Sequence, residues 1–210
     1  PQEESLQKLH DALEAVPALR DSQARSPEDL QAMIKAMAAQ FPSLADFERD
    51  FPSLCFALAT GVGKTRLMGA FITYLHAAYG YRHFFVLAPN LTIYDKLIRD
   101  FMPNTPKYVF KGIAEFATTP PEVITGDNYE QTANLSLFDG VQINIFNISK
   151  INSEVRGGKS PRIKRLSEYC VAAEAAGADL IFSQCSSTRE GIECARKMTK
   201  IPIVMVDDGM

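Results

Sequence analysis

Seven consecutive residues constrain this chain more than anything else in it: Ala59-Thr60-Gly61-Val62-Gly63-Lys64-Thr65. Glycines at this spacing let the backbone turn so that successive N–H groups of Thr60, Gly61, Val62 and Gly63 face an anion. A helix opening near Lys64 aims its positive end at the same place. A lysine here reaches the β- and γ-phosphates of a nucleotide, and the hydroxyl of Thr65 holds Mg²⁺. The strict G-x-x-x-x-G-K-[ST] form is not met, because Leu58 stands where the first glycine belongs. The bland alternative is a glycine-rich turn that arose by chance. The flanks argue against it. Residues 54–58 read as an apolar strand, and Leu67, Phe71, Leu75 and Ala78 form one face of a helix over 64–79 that Gly80 ends.

The rest of the chain continues the pattern. Residues 5–16 and 27–41 read as amphipathic helices, with Leu6, Leu9, Leu13 and Val16, then Leu30, Met33, Ile34 and Met37, at helical spacing. Ser26-Pro27-Glu28-Asp29 is a helix start: an N-cap, proline at the first position, then acids. Residues 83–88 form an apolar strand too continuous to be half exposed. Pro89-Asn90 breaks it, and a helix follows over 91–101. Strand, loop, helix, strand, helix is the order of an α/β domain. With the phosphate loop it predicts a P-loop NTPase (RecA-like) fold, a parallel sheet flanked by helices. Further strands are expected at 122–125 and 141–148, and a short helix at 111–117 within the irregular stretch 102–121. Beyond a Gly- and Lys-rich loop at 153–162 come a helix at 163–176, a strand at 179–183, a helix at 187–198 with a capping-box pattern at Ser187 and Glu190, and a strand at 203–206. This last part reads as a βαβ-like fragment.

Composition narrows the function classes. Hydrophobic residues make up 46% and charged residues 22%, an ordinary globular balance. No apolar run approaches the ~20 residues needed to cross a bilayer. The polar, acidic start is not a secretory signal, and Pro1 in place of Met suggests a fragment or a processed start. No membrane partner and a cytoplasmic setting are expected. The net charge of −3 does not favour nucleic acid as a partner, but the charge is polarised. Between 150 and 165, Lys150, Arg156, Lys159, Arg162, Lys164 and Arg165 stand against Glu154 alone, a candidate DNA-facing stretch. Cys55, Cys170, Cys185 and Cys194 show no CxxC spacing and lie far from the three histidines. A zinc site is therefore not expected, and these thiols read as reduced core residues.

Ala-Thr-Gly-x-Gly-Lys-Thr resembles motif I of superfamily 2 helicases and translocases. The stretch Phe56-Ala57-Leu58-Ala59-Thr60-Gly61-Val62-Gly63-Lys64-Thr65-Arg66-Leu67-Met68, then Val86-Leu87-Ala88-Pro89-Asn90 and Asn144-Ile145-Phe146-Asn147-Ile148-Ser149-Lys150, resembles the first motor domain of type III restriction enzyme helicase subunits. The resemblance covers roughly residues 40–169. It implies ATP and Mg²⁺ as ligands of Thr60 to Thr65, DNA as a partner, and a modification/specificity subunit beside it. It also implies that Pro89, Asn90 and Thr92, and later Ser149 and Lys150, contact the nucleic-acid backbone. From the residues alone, an ordinary strand-to-helix turn explains Pro89, Asn90 and Thr92 equally well. Such a motor also needs an acidic strand end, the Walker B Asp-Glu pair, and a second motor domain. The second domain is not in these residues, so hydrolysis is left open.

At Cys170 the sequence changes character. Residues 171–210 resemble a fragment of the aspartate/glutamate racemase superfamily, carried by Ala175-Ala176-Gly177-Ala178-Asp179-Leu180-Ile181-Phe182-Ser183-Gln184-Cys185-Ser186-Ser187 and by Ile201-Pro202-Ile203-Val204-Met205-Val206-Asp207-Asp208-Gly209-Met210. Under that reading Cys185, at a strand end before a helix, is a candidate proton-transferring thiolate. A buried structural thiol is the plainer reading of it. Asp207 has a competing role: Ile203-Val204-Met205-Val206-Asp207-Asp208 is an apolar strand ending in acids, the shape of a Walker B element, which would set Asp207 beside Thr65 and Mg²⁺. Three segments result: a helical segment at 1–50, an incomplete P-loop motor domain at 51–169, and a racemase-like fragment at 170–210, joined by fusion or by a misassembled frame. The function expected is that of an ATP-binding domain of a DNA helicase or translocase. The alternatives are an amino-acid racemase-type fragment and an inert fusion fragment.

Overall fold

A computed structural model describes residues 1–20, 26–47, 52–128 and 140–147, together with the backbone of residues 180–184 and 203–207. Two N-terminal helices, α1 (Gln2–Ala15) and α2 (Pro27–Ala38), are separated by a short 3₁₀ turn at Pro17–Arg20. The start of α2 is fixed by a capping box: the Ser26 hydroxyl accepts from the Asp29 N–H, and the Asp29 carboxylate accepts from the Ser26 N–H. Then follow β1 (Ser53–Ala57), α3 (Lys64–Tyr79), β2 (His83–Ala88), α4 (Leu91–Phe101), α5 (Ala114–Thr118), β3 (Glu122–Thr125), β4 (Gln142–Asn147), β5 (Leu180–Gln184) and β6 (Ile203–Asp207). The helices expected at 163–176 and 187–198 lie outside the described residues.

The six strands form one sheet in the order β1-β6-β5-β2-β4-β3, and every neighbouring pair is parallel. The fold is thus α/β, a parallel sheet flanked by helices, as the RecA-like reading requires. Parallel pairing brings all six carboxyl ends to one edge, where ligands of open α/β sheets bind. The stretch read as a C-terminal fragment supplies two of the strands inside this sheet. β6 lies directly against the phosphate-loop strand, with Asp207 opposite Ala57.

Residues of β2 after His83 are buried on both faces. Phe84, Val86 and Ala88 join Ile143 and Ile145 of β4 in the main core, with Phe71 and Leu75 of α3 and Leu97 and Phe101 of α4. The alternate side chains Phe85 and Phe146 stack on each other at 5.0 Å on the opposite face. β1 is different. It stands at the sheet's edge, and its side chains are at best half-buried. Cys55 is consequently exposed, not the core thiol that the sequence suggested.

A polar chain ties α1 to α3. His10 Nδ1 lies 2.7 Å from the Tyr74 hydroxyl, which is 3.0 Å from that of Tyr79, and Tyr79 donates to Glu14 Oε1 at 3.0 Å. Arg20 caps the Tyr79 ring at 4.9 Å. Burial and these acceptors push the Tyr79 pKa well above its usual value, so the hydroxyl remains a donor at any physiological pH. Among the described residues, no helix is long and apolar enough to cross a membrane.

One half-buried acid opposes the fold. Glu122 opens β3 with Oε2 buried and without a hydrogen-bond partner among the described residues, and desolvation raises its pKa above 4.5. A carboxyl with a raised folded-state pKa loses stability as pH climbs through that value. Glu122→Gln is therefore expected to melt with the wild type near pH 4 and ~1–3 °C above it at pH 7. Parallel melting curves across pH check this.

Candidate nucleotide site

The site is built on the link from β1 to α3. Gly61 (φ +82°) and Gly63 (φ +84°) are both left-handed, a conformation costly for a side-chain-bearing residue. Leu58 explains why the first motif glycine is dispensable. Asn104 is the only non-glycine residue with positive φ among those described, so Leu58 has no need of glycine's freedom. Its side chain instead packs partly buried against the core.

Gly63 is the N-cap of α3, and no side chain caps that helix. The start of this four-turn helix, with the positive end of its dipole, suits an external anionic acceptor. Ala59, Thr60, Gly61 and Gly63 are exposed and Val62 half-buried, whereas Lys64 and Thr65 are buried to 8% and 9% exposure. The loop offers its backbone to solvent and keeps its two functional side chains below.

Those side chains are engaged internally. Lys64 Nζ donates to the carbonyls of Leu58 at 3.0 Å and Ala59 at 3.1 Å, folding the ammonium back under its own loop. The Thr65 hydroxyl accepts from Lys96 Nζ at 2.9 Å, and Lys96 also pairs with Asp100 Oδ2 at 2.9 Å. Above the loop, Gln2 Nε2 of α1 donates to the Val62 carbonyl at 2.7 Å and the Gly63 carbonyl at 3.2 Å. The chemistry present fits a magnesium nucleotide: backbone donors and an ammonium for phosphate oxygens, and a hydroxyl for the metal.

Gln2, Lys96 and Asp100 were not singled out by sequence reasoning. Gln2 and Lys96 carried no motif. Asp100 carried a signal: it shares the buried face of α4 with Tyr94, Leu97 and Phe101, where a lone acid demands a partner. The i, i+4 spacing then points to Lys96.

The remaining candidates are spread along the same sheet edge. Pro89 and Asn90 link β2 to α4. The Asn90 side chain is spent on capping, accepting from the Ile93 N–H at 2.9 Å, and Thr92 is exposed. Asp207 ends β6 beside the last residue of β1. Ser149, Lys150, Cys185 and Asp208, the basic stretch 150–165 and the join at Tyr169-Cys170 lie outside the described residues. No cluster of three or more metal-ligating side chains occurs among those described.

Comparison with known proteins points to one family. The family model described as type III restriction enzyme, res subunit, matches residues 16–175. A curated relative, the probable type III restriction-modification enzyme HindVIP Res subunit of Haemophilus influenzae, is 29% identical over 119 residues. The match takes in 51% of this chain and 21% of the relative, so the chain spans about a fifth of that protein's length. Neither match supports the racemase resemblance of residues 171–210.

The Gly63 geometry yields a test. A Cβ there would sit in the left-handed region and meet the Gln2 amide nitrogen. Gly63→Ala should cost ~1–2 kcal/mol and lower Tm by ~2–8 °C. Gly126→Ala, where a Cβ meets nothing within 4 Å and φ is not positive, should leave Tm unchanged. Equal melting of the two variants would show that the loop does not hold this conformation.

Proposed function

The chain belongs to the type III restriction enzyme res subunit family, and on that footing we propose that it binds ATP with Mg²⁺ through residues 60–65, as the nucleotide-binding part of a DNA translocase or helicase. The observation that carries the reading is the β1–α3 junction. Two left-handed glycines lead into an uncapped helix start, with Lys64 and Thr65 buried directly beneath. In this reading Lys64 leaves the Leu58 and Ala59 carbonyls to meet the β- and γ-phosphates, and the Thr65 hydroxyl ligates Mg²⁺. The metal would offset phosphate charge and orient the terminal phosphoryl group. Asp207 is the proposed acid for the metal or its water, supported by its place at the end of the strand beside β1.

We further propose DNA as a partner, met by Pro89, Asn90, Thr92, Ser149 and Lys150 along the sheet's carboxyl edge, with the basic stretch 150–165 adding phosphate contacts. A modification subunit is the proposed protein partner, since the relative it resembles carries a Res subunit's name. A cytoplasmic workplace goes with these ligands.

Lys64→Ala should weaken Mg·ATP binding by about 2–4 kcal/mol, the range for losing a charged hydrogen-bonding partner. Calorimetry giving equal affinities for the two proteins would exclude this site.

For DNA, fluorescence anisotropy at low salt should detect weak binding that falls steeply as salt is added, because counterion release then gains less entropy. Binding indifferent to salt, or none at low salt, would remove the basic stretch from the interface.

A further inference from the structure

Thr65 is engaged from the neighbouring helix α4. Its hydroxyl oxygen is the atom offered to a metal, and it already accepts a hydrogen bond from the Lys96 ammonium at 2.9 Å. Lys96 is held in turn by Asp100 at 2.9 Å. Asp100 is 7% exposed and lies on the core-facing side of α4, beside Leu97 and Phe101. A carboxylate buried there needs a cation close by. Lys96 meets that need and, from the same position, covers the Thr65 oxygen.

An ammonium and a divalent cation on one hydroxyl oxygen disfavour each other strongly. They are like charges within a few ångströms of each other, with Thr65 itself shielded from water. We propose that Lys96, anchored by Asp100, occupies the Thr65 hydroxyl in the nucleotide-free protein and is displaced when a divalent cation arrives with nucleotide, so that this pair sets how strongly nucleotide binding depends on Mg²⁺. Lys96 is then a positioning residue of the resting site, acting on Thr65. The inference rests on the phosphate-loop reading given above. It also gives a second use to an ion pair that already balances the buried Asp100, through a lysine that is itself half-exposed.

The test titrates the 210-residue chain with a fluorescent, non-hydrolysable ATP analogue, once with Mg²⁺ and once with EDTA. Wild type, Lys96→Met and the double variant Lys96→Met/Asp100→Asn are compared. The double variant guards against misfolding, because it removes the buried charge that the single variant leaves without its lysine. With Mg²⁺, both variants should bind roughly two- to fivefold more tightly than wild type, a modest gain because the lysine is half-exposed. In EDTA, all three should bind alike. The Mg²⁺ concentration giving half-maximal binding should fall by the same factor. If the variants weaken binding, or shift it equally with and without Mg²⁺, Lys96 is a nucleotide ligand or a plain structural residue, and the displacement idea is wrong. If wild type binds the analogue but the Mg²⁺ dependence is the same in all three proteins, displacement alone fails. If wild type binds no analogue under either condition, the phosphate-loop reading fails and takes this inference with it.

Discussion

The candidate site depends on one backbone manoeuvre, the turn from β1 into α3 through two left-handed glycines. That turn sets the start of α3, uncapped by any side chain among the described residues, at the positive end of the helix dipole. It also sets Lys64 and Thr65 on the helix's first turn, beneath the loop, where both are buried. A buried ammonium and a buried hydroxyl need partners, and here they find them in the Leu58 and Ala59 carbonyls and in Lys96. The resting loop thus satisfies itself with contacts that a ligand would have to replace. Affinity for nucleotide is the difference between those two sets of bonds.

The sheet supplies the second constraint. Because all its neighbouring strands are parallel, the phosphate loop, the β2–α4 turn and the end of β6 share one edge. The N-terminal helices contribute by packing. The chain His10–Tyr74–Tyr79–Glu14 holds α1 against α3, and α1 in turn carries Gln2 over Val62 and Gly63. A segment that reads as plain amphipathic helix thereby becomes the roof of the site.

Much of this was legible in the sequence wherever the signal was local. The spans of α3, β2 and α4 agree with the expected ones to the residue, because Gly63, Gly80 and Pro89-Asn90 punctuate them. What escaped was whatever depends on distant pairing. Strand order follows from which strands meet in space, so β1's place at the edge, and with it the exposure of Cys55, could not be read from five apolar letters. Gln2 and Lys96 meet the loop across separations of 60 and 31 residues and belong to no motif. Asp100 was the exception: an acid within an apolar stripe was there to be noticed. The racemase resemblance of the last forty or so residues drew on short apolar stretches that two parallel strands of the sheet explain as well, and the family match bears on the motor reading alone.

The central claim is that phosphate is gripped by the backbone of residues 60–65. Amide hydrogen exchange, resolved to single residues and measured with and without Mg·ATP, tests it most directly. The amides of Gly61, Val62, Gly63, Lys64 and Thr65 are expected to become strongly protected on nucleotide addition, with smaller changes elsewhere in α3. Protection confined to another part of the chain, or unchanged exchange across residues 60–65 at saturating nucleotide, would contradict it.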